Sequence, residues 1–140
     1  MCVTKENTAA GFNGSFELLH DGLPVNWQLY TVETAGEGDF DVSIDSADAQ
    51  DGKRSLKLEV RACAKSGGWK SPGLSKQLDA KPEETYSIRF WIKNNGATCV
   101  ARIGGVSAHE GSYETVYEAN SVTDGWQKVE YVYKVPAGMQ

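Results

Sequence analysis

The sequence has little of what most protein chemistries require. Its three cysteines, Cys2, Cys63 and Cys99, form no Cys-x-x-Cys pair, and its two histidines, His20 and His109, stand apart. That spacing argues against a Cys/His zinc site. Gly-x-Ser-x-Gly, P-loop and His-Glu-x-x-His motifs are missing, and with them the usual signs of acyl transfer, nucleotide binding and zinc-dependent proteolysis. No apolar run is long enough to span a bilayer. Basic residues number 14 against 19 acidic ones, a formal net charge of -5. Such a surface repels a phosphate backbone, so sequence-independent nucleic-acid binding is not expected. Sustained apolar spacing of helical period is also absent.

What remains is the pattern of a turn-rich β protein. The 140 residues suit one domain with a real core, and the composition is 40% hydrophobic and 10% aromatic with 15 Gly and 4 Pro. Phe40, Val42 and Ile44 alternate with Asp39, Asp41, Ser43 and Asp45. Leu56, Leu58, Val60 and Ala62 alternate with Lys57, Glu59 and Arg61. Tyr86, Ile88, Phe90 and Ile92 form one face of a third strand. Further strands are expected over 74–78, 98–103, 113–119 and 126–135, with turns at Asp51-Gly52, Pro72-Gly73, Asn94-Asn95-Gly96 and Asp124-Gly125. Many short strands between turn signals predict an all-β sandwich or jelly roll. Residues 1–11 read as a flexible tether and residues 12–140 as the folded domain.

Cys2 follows the initiator Met and precedes the polar stretch Thr4-Lys5-Glu6-Asn7-Thr8. This is the pattern of a bacterial lipoprotein whose signal peptide has been replaced by a single Met, with Cys2 as the lipid anchor; the plainer reading is a disordered terminus. Cys63 and Cys99 fall in expected strands, and either pair across adjacent strands or stay as buried free thiols.

Five segments in order carry a family resemblance. They are Asn13-Gly14-Ser15-Phe16-Glu17 with Gly22-Leu23-Pro24-Val25-Asn26-Trp27; Asp51-Gly52-Lys53-Arg54-Ser55-Leu56; Gly68-Trp69 with Pro72-Gly73; the stretch 81–93 around Tyr86 and Phe90-Trp91; and Asp124-Gly125-Trp126 with Val135-Pro136. Together they resemble carbohydrate-binding modules of families four, nine and twenty-two. The resemblance implies a β-sandwich jelly roll of the galactose-binding-like type. It also implies non-catalytic polysaccharide binding and an extracellular or cell-surface location, on a lipoprotein or as an appendage of a glycoside hydrolase. Family members continue past Val-Pro for about two more strands. This chain ends at Gln140, so an open sheet edge and dimerisation through it are expected.

Sugar binding needs a flat aromatic face for the C–H side of a pyranose and polar groups for its hydroxyls. The candidates are Trp69, after a Gly-rich loop; Tyr113 and Tyr117, on one strand face with Thr115 between them; Arg102, among Val100, Ala101 and Ile103; and Trp91, out of phase with the core series and on the side of Arg89. Each has a plainer reading. Trp69 reads equally as a core lid, the Tyr pair as structural, and Arg102 as an ion-pair partner of Glu114 or Glu118. Trp27 and Trp126 occur where the family places core residues. The resemblance further implies a structural Ca²⁺ held by Glu17, with carbonyls from Ser15 and from the turn Asp51 to Lys53; the plainer role for Glu17 is capping a turn. The acids form no recognisable hydrolytic pair, and His109-Glu110 reads as a solvated loop, so catalysis is not expected. The alternative is a protein-interaction or assembly domain of a cell-surface protein with no sugar site.

Overall fold

The alternating segments become strands, and every named ladder is an antiparallel pair. The computed structural model describes residues 8–63, 65, 70–104 and 113–137. Cys2, Trp69 and His109-Glu110 lie outside them. The fold class is all-β. The strands are β1 (Leu19–His20), β2 (Leu23–Pro24), β3 (Gln28–Tyr30), β4 (Asp39–Asp45), β5 (Ser55–Ala62), β6 (Gly73–Ser75), β7 (Thr85–Ile92), β8 (Cys99–Gly104), β9 (Tyr113–Ala119) and β10 (Gln127–Lys134). One helical turn, α1 (Val32–Ala35), lies between β3 and β4. Two compact units divide the chain, 1–76 and 77–140. The same pairing recurs in each. β3 pairs with β6 around the hairpin β4/β5, and β7 pairs with β10 around the hairpin β8/β9. An outer pair nested around an inner hairpin is the wrapping from which jelly rolls are built.

In the first unit the opening segment is held by one side chain. Asn13 donates from Nδ2 to the carbonyls of Leu18 and Val25, both at 2.9 Å, and accepts the Leu18 amide on Oδ1 at 3.1 Å. Its own carbonyl accepts the Trp27 indole N–H at 3.0 Å. Phe12 and Phe16 pack on the Trp27 ring at 5.3 and 5.6 Å between centroids, so Trp27 is structural. β1 and β2 are joined by Asp21-Gly22, both at positive φ (51° and 78°), the type I′ geometry that matches strand twist. Thr8–Ala10 forms a 3-10 turn, and Gly11 accepts a hydrogen bond from Asn26 Nδ2. At the end of the stretch read as a tether, the Ala10 carbonyl also accepts the Asn13 amide. Val25, Leu29, Ala35 and Phe40 form the buried core.

Register on β4/β5 sorts the two faces. Phe40 lies opposite Val60, Val42 opposite Leu58 and Ile44 opposite Leu56; on the other face Asp41 lies opposite Glu59 and Ser43 opposite Lys57. A bulge at Asp39/Phe40 leaves Arg61 over. Its guanidinium grips Asp39 at 2.7 Å and Asp41 at 2.9 Å. This relieves the like charges that sit across from each other.

In the second unit, β7 and β10 pair along their full lengths. Tyr86, Ile88 and Phe90 lie opposite Tyr133, Tyr131 and Val129 on the inner face, with Ile92 opposite exposed Gln127; Val129, Tyr133 and, just past the ladder, Val135 are buried. Phe90 packs edge-on against Tyr117 of β9 at 6.5 Å, and Tyr131 donates to Glu114 of β9. Those contacts join the two pairs. The turn after β7 is built on buried Asn94. Its Oδ1 accepts the amides of Gly96 and Ala97, and its Nδ2 donates to the Ala97 carbonyl at 2.7 Å. Cys63, exposed, and Cys99, half-buried, both carry free thiols.

Asn13→Ala removes a donor from two carbonyls and an acceptor from one amide. Each buried group left unpaired costs about 1–3 kcal/mol, and the left-handed backbone of Asn13 (φ 51°) suits Ala poorly. We expect a clear fall in Tm for Asn13→Ala by calorimetry. Asn13→Asp, which turns a carboxylate toward two carbonyls, is expected to fall at least as far.

Candidate functional site

A ligand surface is sought first where side chains of strand period point away from the core. On β7, Arg89 and Trp91 are out of phase with the inner series and exposed, Trp91 to 41%. Directly opposite on β10 stand Glu130 and Lys128, followed by Val132 opposite Ser87 and Lys134 opposite Thr85. Opposed residues in an antiparallel pair share a face. This outer face is therefore one ribbon: Thr85, Ser87, Arg89 and Trp91 beside Lys134, Val132, Glu130 and Lys128. Among the described residues nothing hydrogen-bonds the Trp91 indole N–H, and no ring or cation stacks on it. The ring is open to a ligand. Lys128 pairs with Glu130 at 2.9 Å. That contact and the nearby Arg89 charge hold the Glu130 carboxyl below its ordinary range.

The outer face of β8/β9 is a separate surface. Arg102 lies opposite Thr115, Val100 opposite Glu118 and Gly104 opposite Tyr113; Ala101 lies opposite Tyr117. A bulge falls between Ala101 and Arg102, and Val116 is the residue left over. It breaks the alternation, so Tyr117 turns inward onto Phe90 while Tyr113, exposed to 50%, turns outward with Arg102. The expectation that Tyr113 and Tyr117 share a face is corrected by this extra residue. Arg102 is exposed and, among the described residues, makes no ion pair with Glu114 or Glu118. Glu114 instead accepts from Tyr131 and pushes that phenol's pKa up. Trp91 and Arg102 point away from the shared Phe90–Tyr117 layer on opposite sides of this unit. Trp126 is half-buried.

The expected calcium residues do come together in part, with a different chemistry. Glu17 reaches the Asp51-Gly52-Lys53 turn, but Oε1 accepts the amide N–H groups of Lys53 and Arg54 at 2.6 and 3.1 Å. Arg54 Nη1 donates to Glu17 Oε2 at 3.1 Å and to its carbonyl at 3.0 Å. Gly52 sits at φ 70°, and a Cβ there would collide with Oε1. The turn is thus a nest of N–H donors around an anion. A Ca²⁺ shell needs oxygens, and the guanidinium already supplies the positive charge. Ser15 is half-buried, Asp51 and Lys53 are exposed, and among the described residues no three acidic, His or Cys side chains cluster for a metal. This donor set does not fit calcium. The Lys53 amide, ahead of a partial desolvation penalty and the Arg54 contacts, holds the Glu17 carboxyl below its ordinary value.

A cleft of about 600 Å³ in the first unit escaped the sequence reading; Asp21, Thr31, Glu33, Asp39, Asp41 and Arg61 line it. Arg61 lowers the Asp39 pKa by direct hydrogen bonding. The Thr31 hydroxyl does the same for Glu33, partly opposed by the Asp41 charge. The cleft can accept hydrogen bonds but presents no exposed ring. Its only sequence signal was the Asp39-x-Asp41 alternation, and that reads equally well as a solvated strand face.

The family model CBM_4_9, described as a carbohydrate binding domain, matches residues 8–140. No curated protein and no solved structure gives a significant match.

Because the folded Glu17 pKa is depressed, its contribution to stability is present above the unfolded value, near 4.5, and is lost as pH falls through the folded value. Acid unfolding followed by circular dichroism is expected to show this loss below about pH 4.5. Glu17→Gln removes that share of the dependence, leaving a flatter acid limb and lower stability at neutral pH.

Proposed function

The chain belongs to the CBM_4_9 family of carbohydrate binding domains, and on that premise we propose that the outer face of β7/β10 holds a polysaccharide, with Trp91 as its stacking platform. The domain binds carbohydrate, has the all-β jelly-roll class that the sequence predicted, and is non-catalytic in itself. What supports this particular face is the Trp91 ring, exposed and without a ring or cation partner among the described residues, on a strand whose core residues all point the other way. An indole face covers the apolar C–H side of a pyranose. Arg89, Lys128, Glu130, Ser87 and Thr85 supply donors and acceptors for hydroxyls along the same ribbon. The Tyr113–Arg102 surface is the second aromatic–polar pairing of this unit. There a phenol rim and a guanidinium with no ion pair among the described residues replace the broad indole. Trp69 lies outside the described residues and enters the same test by substitution. Display from a cell surface through Cys2, or attachment to a glycoside hydrolase, fits such a module.

Affinity electrophoresis on a panel of soluble polysaccharides tests the reading. Trp91→Ala is expected to weaken retardation by about tenfold or more, the usual effect of truncating an aromatic anchor. Tyr117→Ala, which empties a contact with Phe90, is expected to lower Tm with little direct loss of binding. Undiminished retardation of a folded Trp91→Ala, with loss in Trp69→Ala or Tyr113→Ala, moves the platform to that residue.

A further inference from the structure

The ribbon that carries Trp91 differs in charge from the rest of the protein. The chain as a whole carries a net charge of -5. The β7/β10 outer face carries Arg89, Lys128 and Lys134 against the single carboxylate Glu130. The strand-face residues of β4/β5 outside the apolar series are mixed, with Asp39, Asp41, Asp45 and Glu59 beside Lys57 and Arg61. An exposed indole inside a locally cationic ribbon on an acidic protein is a specific combination. The cations are also unequal. Lys128 is engaged by Glu130 at 2.9 Å. Arg89, directly opposite Glu130, has no carboxylate within 4 Å among the described residues. Glu130 makes its close contact with Lys128 and acts on Arg89 only through the longer-range attraction that helps lower its own pKa.

We infer that this face selects an acidic polysaccharide, one whose sugar rings carry carboxylates, with the ring on Trp91 and the carboxylate on Arg89. The inference rests on the Trp91 face being the glycan surface. Two residues apart on one strand face is about 7 Å, so a ring lying over the indole brings an exocyclic group within reach of the guanidinium. The planar fork of Arg matches a carboxylate in a two-point hydrogen bond, which a hydroxyl cannot exploit as well. One guanidinium without a close carboxylate, beside one indole with no ring or cation on it among the described residues, suits one charge per sugar ring. A densely sulfated chain meets Glu130 and too few cations. Placing the cations beside the ring also directs an acidic ligand to this face of a protein that otherwise repels it.

Polygalacturonate provides a direct probe, because methyl esterification removes its charge while keeping the sugar backbone. Retardation by affinity electrophoresis is compared on de-esterified and fully methyl-esterified polygalacturonate, on a neutral β-glucan and on heparin. The proteins are the parent, Arg89→Ala, Arg89→Lys and Trp91→Ala, each confirmed as folded by circular dichroism. The expected result is binding to the de-esterified polymer at least about tenfold tighter than to the esterified one, weakening as salt rises. Arg89→Ala is expected to erase that difference, Arg89→Lys to restore part of it, and Trp91→Ala to lose binding to both polymers. Equal binding to both polymers, or an unchanged preference in Arg89→Ala, overturns the acidic-ligand inference and leaves the carbohydrate reading standing. Heparin retained as tightly as polygalacturonate, and insensitive to Arg89→Ala, also overturns it in favour of unspecific polyanion attraction. A folded parent retained by no polysaccharide overturns both readings together.

Discussion

The structure depends on satisfying backbone groups where no strand partner is available. Its loops are long and its first three strands are two or three residues long, so ladders alone leave the opening segment unpaired. The Asn13 amide does this work in their place, bonding Leu18 on both its carbonyl and its N–H and Val25 on its carbonyl. A primary amide carries donors and an acceptor on one rigid plane, as a peptide group does. Asn94 solves the same problem between β7 and β8. Only with both turns fixed do the flanking strands enter their pairs in a defined register, and register decides which side chains face water.

The outer face of β7/β10 is a product of that register. The strand keeps strict alternation from Thr85 to Ile92, so Arg89 and Trp91 fall together on the solvent side and Phe90 on the other. In β8/β9 a single extra residue ends the alternation. There one tyrosine becomes part of the core and another part of the surface. The aromatic rings divide along these lines: Tyr117 and Trp27 are committed to ring contacts inside their units, and Trp91 makes none among the described residues.

Much of this was legible in the sequence because period-two patterning is strong over 39–45, 55–62 and 85–92. The position of Trp91 followed from counting residues against Ile88, Phe90 and Ile92. What counting misses is an insertion in the count. The bulges at Ala101/Arg102 and Asp39/Phe40 have no composition of their own, so the separation of Tyr113 from Tyr117 and the double grip of Arg61 were invisible. The hairpin at Asp21-Gly22 is flanked by strands too short to show a period. The meeting of Glu17 with the Gly52 turn was anticipated through the family resemblance, and capping a turn was the plainer of the two roles the sequence left open for it. A carboxylate beside a tight turn serves equally as a ligand for a cation or as a guest of N–H groups. Arg54, immediately after the turn, is what tips it to the second role.

The Asn13 amide has one more consequence, for the chemical lifetime of the protein. Asn-Gly is the dipeptide in which the following amide nitrogen most readily attacks the side-chain carbonyl carbon, expelling ammonia and closing a five-membered imide that opens to Asp or isoAsp. Asn13-Gly14 and Asn95-Gly96 are both such pairs. The first is buried with its amide bonded on both ends, so rotation toward the Gly14 nitrogen requires breaking those bonds. The second has its Asn side chain in solvent. Folding therefore shields from ageing the asparagine that cannot be spared, and leaves the exposed one to record the protein's time in water.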